Sequence, residues 1–302
     1  MRTVSIQPYE SIYSWVVRSH LRYGSAYERH TYKALFGHSP VSIHHYLPKH
    51  IEELCSRTNA QPDTLIQQHT LYCLFQFFDE TTDHSSSLLR YMLGNKNERI
   101  LASSFIRSAR LSTRPSHKFC SACIEELRKE KGFGLYDIRC QLPGIIVCPK
   151  HGILFECFSS TNGPIVKLRQ AKPNSNREKV EGKTESFVQF CFDVIELSIN
   201  NHERFDHKRY YNALDRRGYI TKEGRVRHKA LTRDVVSEVS KIVLEPGAEH
   251  LCSMYYLGSL LSKRQYSMHP IQHLLFGWWL FEADASRFYE DELPPEQYAL
   301  KW

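Results

Sequence analysis

The sequence lacks any apolar run of about eighteen residues, the length a membrane-spanning helix needs. Its most apolar stretch, IQHLLFGWWLF at 271–281, is much shorter. The first residues, MRTVSIQPYES, lack the apolar stretch of a signal peptide. These absences point to an intracellular protein with no membrane partner, whose cysteines are reduced thiols or metal ligands. No GxxxxGK[ST] loop occurs to cradle a nucleotide phosphate. Asp and Glu are plentiful, but no compact set is tied to a strand, as Mg2+-dependent strand cleavage requires. A nuclease or transposase is therefore the disfavoured alternative, and no catalytic residue is assigned.

The 302 residues are 41% hydrophobic and 12% aromatic, enough for two or three cored domains or one large one. The net charge of +7 is modest, but it is clustered. Between Leu88 and Lys118 stand Arg90, Lys96, Arg99, Arg107, Arg110, Arg114 and Lys118 against Glu98 alone. A second basic stretch runs from Arg204 to Asp234. Clustered basic segments are the footprint of phosphate binding, although a solvated helix face gives the same pattern.

Hydrophobic periodicity predicts short helices through the first part of the chain. Ser11 can cap a helix bearing Ile12, Trp15, Val16 and Tyr23, closed by Gly24. YERHTYKALF before Gly37 predicts a second helix, and Pro62-Asp63 opens a third through LIQQHTLYCLFQFF. From 119 the pattern changes: a polar helix, IEELRKEKG, then the strand-like runs LPGIIVC and ILFECF. Residues 159–184 have the Ser, Asn, Pro and Gly content of a linker. Helical patterns resume in ESFVQFCFDVIELSI, HKRYYNALDRRG, TRDVVSEVSKIVL (capped by Thr232) and, from Pro270, HPIQHLLFGWWLFE. The expected fold is mainly α with a small zinc-ribbon-like β element, helix-turn-helix modules flanking the zinc-binding segment. The expected division is an N-terminal helical module at 1–116, the zinc-binding segment at 117–160, a linker at 161–184 and a C-terminal DNA-binding module at 185–302.

Four of the nine cysteines lie between Phe119 and Gly152. Cys120 and Cys123 form CxxC, and Cys148 and His151 form CxxH. Two residues between ligands let both side chains of a tight turn face one ion, and two such knuckles complete a tetrahedron. The ordinary alternative, buried thiols, suits Cys55, Cys73, Cys191 and Cys252 on apolar helical faces. Cys140 and Cys157 fall outside the pairs and are excluded as ligands. Four protein ligands close the coordination sphere, so one structural Zn2+ is expected rather than a catalytic one. A deaminase is rejected: His50-Ile51-Glu52 matches HxE, but no Pro directly precedes Cys120.

PYESIYSWVVR, FCSAC and QLPGIIVCPKHGILF together resemble the TnsD/TniQ family of transposon target-selection proteins. Pro8, Glu10, Ser11, Ser14, Trp15, Cys120, Cys123, Leu142, Pro143, Cys148, Pro149, His151 and Gly152 fit the family pattern. GYITKEGRVR and MHPIQHLL are similar to its C-terminal half. The resemblance implies a non-enzymatic protein of the bacterial cytoplasm and nucleoid that binds a target site in double-stranded DNA. It further implies recruitment of a AAA+ ATPase regulator, which brings the transposase. An alternative within the family is docking on a guide-RNA surveillance complex without DNA reading by the protein itself.

Independently of the family, residues 205–245 suit a helix-turn-helix. Arg216 and Arg217 end one helix, Lys222, Arg225 and Arg227 follow, and His228, Lys229 and Arg233 belong to the next element. Arg can read guanine with two hydrogen bonds, whereas Lys mostly grips phosphate. Lys263 and Arg264 before Tyr266 are further candidate phosphate contacts. The ordinary alternative is a solvated basic surface on a helical bundle.

Overall fold

The computed structural model describes residues 2–24, 26–39, 41, 43–79, 82–95, 104–111, 116–159, 179–180, 182–201, 203–262 and 268–289. Along the described chain run α1 (Ile12–Tyr23), α2 (Glu28–Phe36), α3 (Ile51–Thr58), α4 (Pro62–His69), α5 (Tyr72–Phe77), α6 (Asp83–Leu93) and α7 (Ser104–Arg107). Then come β1 (Ser116–Phe119), α8 (Ser121–Lys131) and β2 (Glu156–Ser159). They are followed by α9 (Lys183–Asn200), α10 (Lys208–Arg216), α11 (His228–Val239), α12 (Leu257–Leu260) and α13 (Pro270–Leu280). The protein is thus mainly α, with one two-stranded antiparallel sheet among the described residues, pairing Lys118 with Cys157 and Phe119 with Glu156.

Local chemistry sets most helix ends. The Ser11 hydroxyl accepts from Ser14 N at 3.2 Å and opens α1, while Gly37 in the left-handed region closes α2. The single helix expected from Pro62 is instead two. Thr70 is extended, and its hydroxyl donates to Ile66 O at 2.6 Å and accepts from Tyr72 N at 3.1 Å. A side chain that replaces backbone partners ends α4 and restarts the chain as α5. The helix α11 begins at His228, so Thr232 lies inside it rather than capping it.

LPGIIVC does not form a strand. Lys118 is buried and donates to Leu142 O at 2.6 Å and Ile145 O at 2.9 Å, while Glu245 accepts from Gly144 N at 3.0 Å. The backbone groups that a ladder would use are taken by two charged side chains. Only Val147, bridging Leu154, retains strand-like pairing in this run.

One apolar core extends from Ile12 to Phe288. Its centre is α13, buried on all sides, opened by Pro270 and by a capping box of His269 and Gln272. The helices α9, α10 and α11 each pack against α13, and α5 packs against α9. The core therefore continues across the positions where the sequence suggests module boundaries.

Candidate metal centre and basic surface

The first knuckle sits where β1 turns into α8. Cys120 is the N-cap of α8, and its sulfur accepts from Cys123 N at 3.5 Å. A helix N-terminus favours negative charge on such a sulfur. The second knuckle is a tight turn in which Cys148 O accepts from Gly152 N at 2.8 Å. Gly152 takes φ +64°, which lets the chain reverse there and run back beside Val147.

The two turns bring four ligand atoms together. The three Sγ atoms of Cys120, Cys123 and Cys148 and Nδ1 of His151 all lie within 4.8 Å of one another. His151 Nδ1 is 3.4 Å from Cys120 Sγ, 3.3 Å from Cys123 Sγ and 3.5 Å from Cys148 Sγ, and the sulfurs of Cys123 and Cys148 are 3.7 Å apart. A tetrahedral zinc with ordinary Zn–S and Zn–N bonds separates its ligand atoms by about 3.5–3.8 Å. The donor set and its spacing therefore fit one Zn2+.

The electrostatics agree. Hydrogen bonds from Cys123 and then Cys148 hold the Cys120 thiol far below the usual thiol range. Hydrogen bonding to Cys120 pushes the Cys123 thiol up, and the same partner raises Cys148 to about 11. Thiols this close compete for negative charge, and a bound dication would favour the ionised form of all three. The remaining cysteines lie elsewhere: Cys55, Cys73, Cys140 and Cys191 are buried, Cys252 is half-buried, and Cys157 is exposed on β2.

Behind the four-atom cluster, His151 Nε2 lies 3.0 Å from Glu126 Oε1, and Lys150 Nζ is 2.5 Å from Glu126 Oε2. Glu126 was invisible to motif spacing taken as CxxC and CxxH. A signal was present, because an acid three residues after Cys123 stands on the same helix face.

The N-terminal motif meets the segment that follows α8 directly. Glu10 is fully buried and accepts from Gln7 N at 3.0 Å, Ser14 Oγ at 2.8 Å and Arg18 Nη1 at 2.5 Å. Burial raises its carboxyl above the usual range, against the pull of Arg18. Ser14 Oγ accepts from Tyr136 N, Ser11 N donates to Tyr136 O, and Ile138 N donates to Tyr9 O. Tyr9, Ser11 and Ser14, the last held by the Glu10 carboxylate, thus join the start of α1 to residues 136–138.

The basic candidates divide into three groups. Arg227, His228, Lys229 and Arg233 are exposed and line one shallow recess at the start of α11. The buried face of α11 is Leu231, Val235 and Val239, so Lys229 and Arg233 project from the other side. Arg233 Nε donates to Asp234 at 2.8 Å. Lys222 and Arg225 are exposed on the turn before α11, where Thr221 N donates to Arg225 O at 2.8 Å. Arg216 and Arg217 line a different recess with Arg209 and Arg287. Arg217 is engaged within the fold: Nη1 donates to Trp279 O at 2.7 Å and Leu280 O at 3.0 Å, and the guanidinium lies 4.1 Å from the Trp279 ring centre. Residues 217–227 join α10 to α11 through an Ile220–Val226 bridge, a longer connection than the tight turn of a helix-turn-helix. Lys118, counted with the first basic stretch, is a buried structural group. Lys263 and Arg264 lie outside the described residues, as do Lys96, Arg99, Arg114 and most of the expected linker.

The sequence model of one protein family, TniQ, matches residues 1–155 of the 302. The chain belongs to the TniQ family. Among curated proteins none matches the chain. TniQ membership associates the protein with transposition. The TniQ match includes Glu10, Ser14, Tyr136 and all four residues of the Cys/His cluster, so the buried Glu10–Ser14–Tyr136 contacts and the candidate metal centre fall within one family match. It stops before the basic surface of α10 and α11. No helix among the described residues is long and apolar enough to cross a membrane.

Proposed function

We propose that this TniQ-family protein selects the insertion site of a transposon in the bacterial nucleoid. It binds double-stranded target DNA and recruits a AAA+ ATPase regulator and, through it, the transposase. It breaks and joins no bonds itself. One structural Zn2+ held by Cys120, Cys123, Cys148 and His151 fixes α8 and the 148–155 turn on the N-terminal helices. The four sequence-defined segments are then divisions of labour on a shared core: residues 1–160 form the family scaffold and residues 185–302 carry the DNA surface.

The observation that carries DNA binding is the start of α11. Arg227, His228 and Lys229 surround a helix N-terminus with no side-chain cap. Cations at the positive end of a helix dipole are unfavourable by themselves, and an anion placed there meets both the charges and the free N–H groups. A DNA phosphate supplies that anion, with Arg225 and Lys222 beside it and Arg233 one turn further along α11. Arg216, Lys263 and Arg264 are assigned to flanking phosphate contacts. Arg217 contributes through the position it gives to α10.

The test is duplex binding by the purified protein across a salt series. Binding with a steep salt dependence is expected, weakened by Arg225→Glu with Arg227→Glu. If the protein binds no duplex alone but binds a guide-RNA complex, the adaptor alternative replaces direct reading. Mg2+-dependent nicking by pure protein would replace both with an enzyme. Elemental analysis is expected to find about one zinc per chain.

A further inference from the structure

We propose that Glu126 is the positioning residue of the metal centre, presenting Nδ1 of His151 to the ion by accepting a hydrogen bond from its Nε2–H. The inference rests on the zinc reading above. A neutral imidazole carries one N–H and one lone pair, so fixing the proton on one nitrogen fixes the other as the ligand. Here the two nitrogens face different partners. Nδ1 lies 3.3–3.5 Å from the three sulfurs, and Nε2 lies 3.0 Å from Glu126 Oε1. A carboxylate behind a metal-bound histidine sets both its tautomer and its ring plane.

The geometry is built in from two sides. Glu126 follows Cys123 by three residues on α8, so the helix that presents one sulfur also presents the carboxylate. Lys150, the residue before His151, holds the second carboxylate oxygen. Glu126 is about half exposed, at 49%, and lies outside the apolar core. Its ion pair with Lys150 is a surface pair of the kind that adds little stability alone. The hydrogen bond to His151, itself 17% exposed, is the one that reaches the ligand sphere.

The experiment measures zinc affinity of the full chain by competition with a chromophoric chelator, in wild type, Glu126→Ala, Glu126→Gln and Lys150→Ala. Loss of a group behind a ligating histidine typically weakens metal binding about 10–100-fold, and Glu126→Ala is expected in that range. Glu126→Gln keeps an acceptor oxygen and is expected to lose less. Lys150→Ala is expected to match wild type. In the zinc-loaded protein, 15N spectra are expected to show His151 metallated at Nδ1 with an exchange-protected Nε2–H, and Glu126→Ala is expected to lose that protection. Wild-type affinity in Glu126→Ala overturns the inference while leaving the zinc reading intact. So does an equal loss in Lys150→Ala, which would assign the effect to the surface ion pair. If Glu126→Ala fails to fold, the Gln variant decides, with unchanged affinity and unchanged Nε2–H exchange counting against the role. A wild-type protein that takes up no zinc overturns the zinc reading and this inference together.

Discussion

The Cys/His cluster and the basic surface of α10 and α11 are both sets of residues nominated by local sequence, yet the fold treats them differently. The four metal-site residues come from two turns and converge on a space that fits one ion. The basic residues diverge: four line a recess at the start of α11, two sit on the preceding turn, and Arg216 and Arg217 face another recess. A metal site demands that ligands crowd together, which is costly without the ion and so leaves a geometric trace. A phosphate surface demands only exposed charge on a firm support, and exposed charge is found on any solvated helix. Convergence is therefore strong support at the first region, whereas the second rests on the position of its charges relative to the α11 dipole.

Breaking the first region should have the largest effect. Zinc binding in small structural sites is worth on the order of 10 kcal/mol, so Cys148→Ser should abolish stoichiometric zinc and sharply lower the thermal transition. A Cys148→Ser protein that keeps one zinc and its melting temperature would reduce the cluster to packed thiols. Next come the hydrogen bonds that Glu10 and Ser14 make where α1 meets residues 136–138. Glu10→Ala leaves Arg18 without its buried partner, a change that costs about 3–5 kcal/mol. Denaturant midpoints measure it, and a near-neutral result would show that the buried Glu10–Arg18–Ser14 contacts are not what holds the two parts together.

Acid sensitivity sharpens the same contrast on a smaller scale. His117 on β1 stacks on Tyr13 at 3.7 Å between ring centres, and neither ring nitrogen has a hydrogen-bond partner. Burial lowers its pKa to about 3, with His44 adding to the effect. Above pH about 6.5 neither folded nor unfolded protein carries this proton, and stability is full. As pH falls from there toward 3, only the unfolded state takes the proton, so stability falls by about 1.4 kcal/mol per pH unit. His117→Phe preserves an aromatic stack and should flatten the acid limb by that amount. An unchanged slope would place the acid-labile groups elsewhere. The smallest effect on the fold is expected at the basic surface. Arg225→Glu with Arg227→Glu should shift stability by no more than about 0.5 kcal/mol. The same pair should lower the slope of log affinity against log salt by about 0.9 for each phosphate the protein no longer neutralises. A large stability loss would mean that these arginines support the turn rather than face DNA.

Sequence by itself determined what depends on neighbours a few residues away. The Ser11 cap, the Gly37 stop, the start of α13 at Pro270 and the grouping of Cys120, Cys123, Cys148 and His151 were all legible, because caps, stops and knuckles are built from adjacent backbone and side chains. Only the tertiary structure decided the rest. LPGIIVC had the composition of a strand, but Lys118 and Glu245 took its backbone partners from far along the chain. The hydrogen bonds of Arg217 to Trp279 O and Leu280 O in α13 had no sign in the local sequence. The spacing of Glu126 from Cys123 placed it on the right helix face, but its partner His151 came from 25 residues further along the chain. A hydrogen bond to a residue tens or hundreds of positions away leaves no periodicity and no spacing to read, so these roles became visible only when the chain had closed on itself.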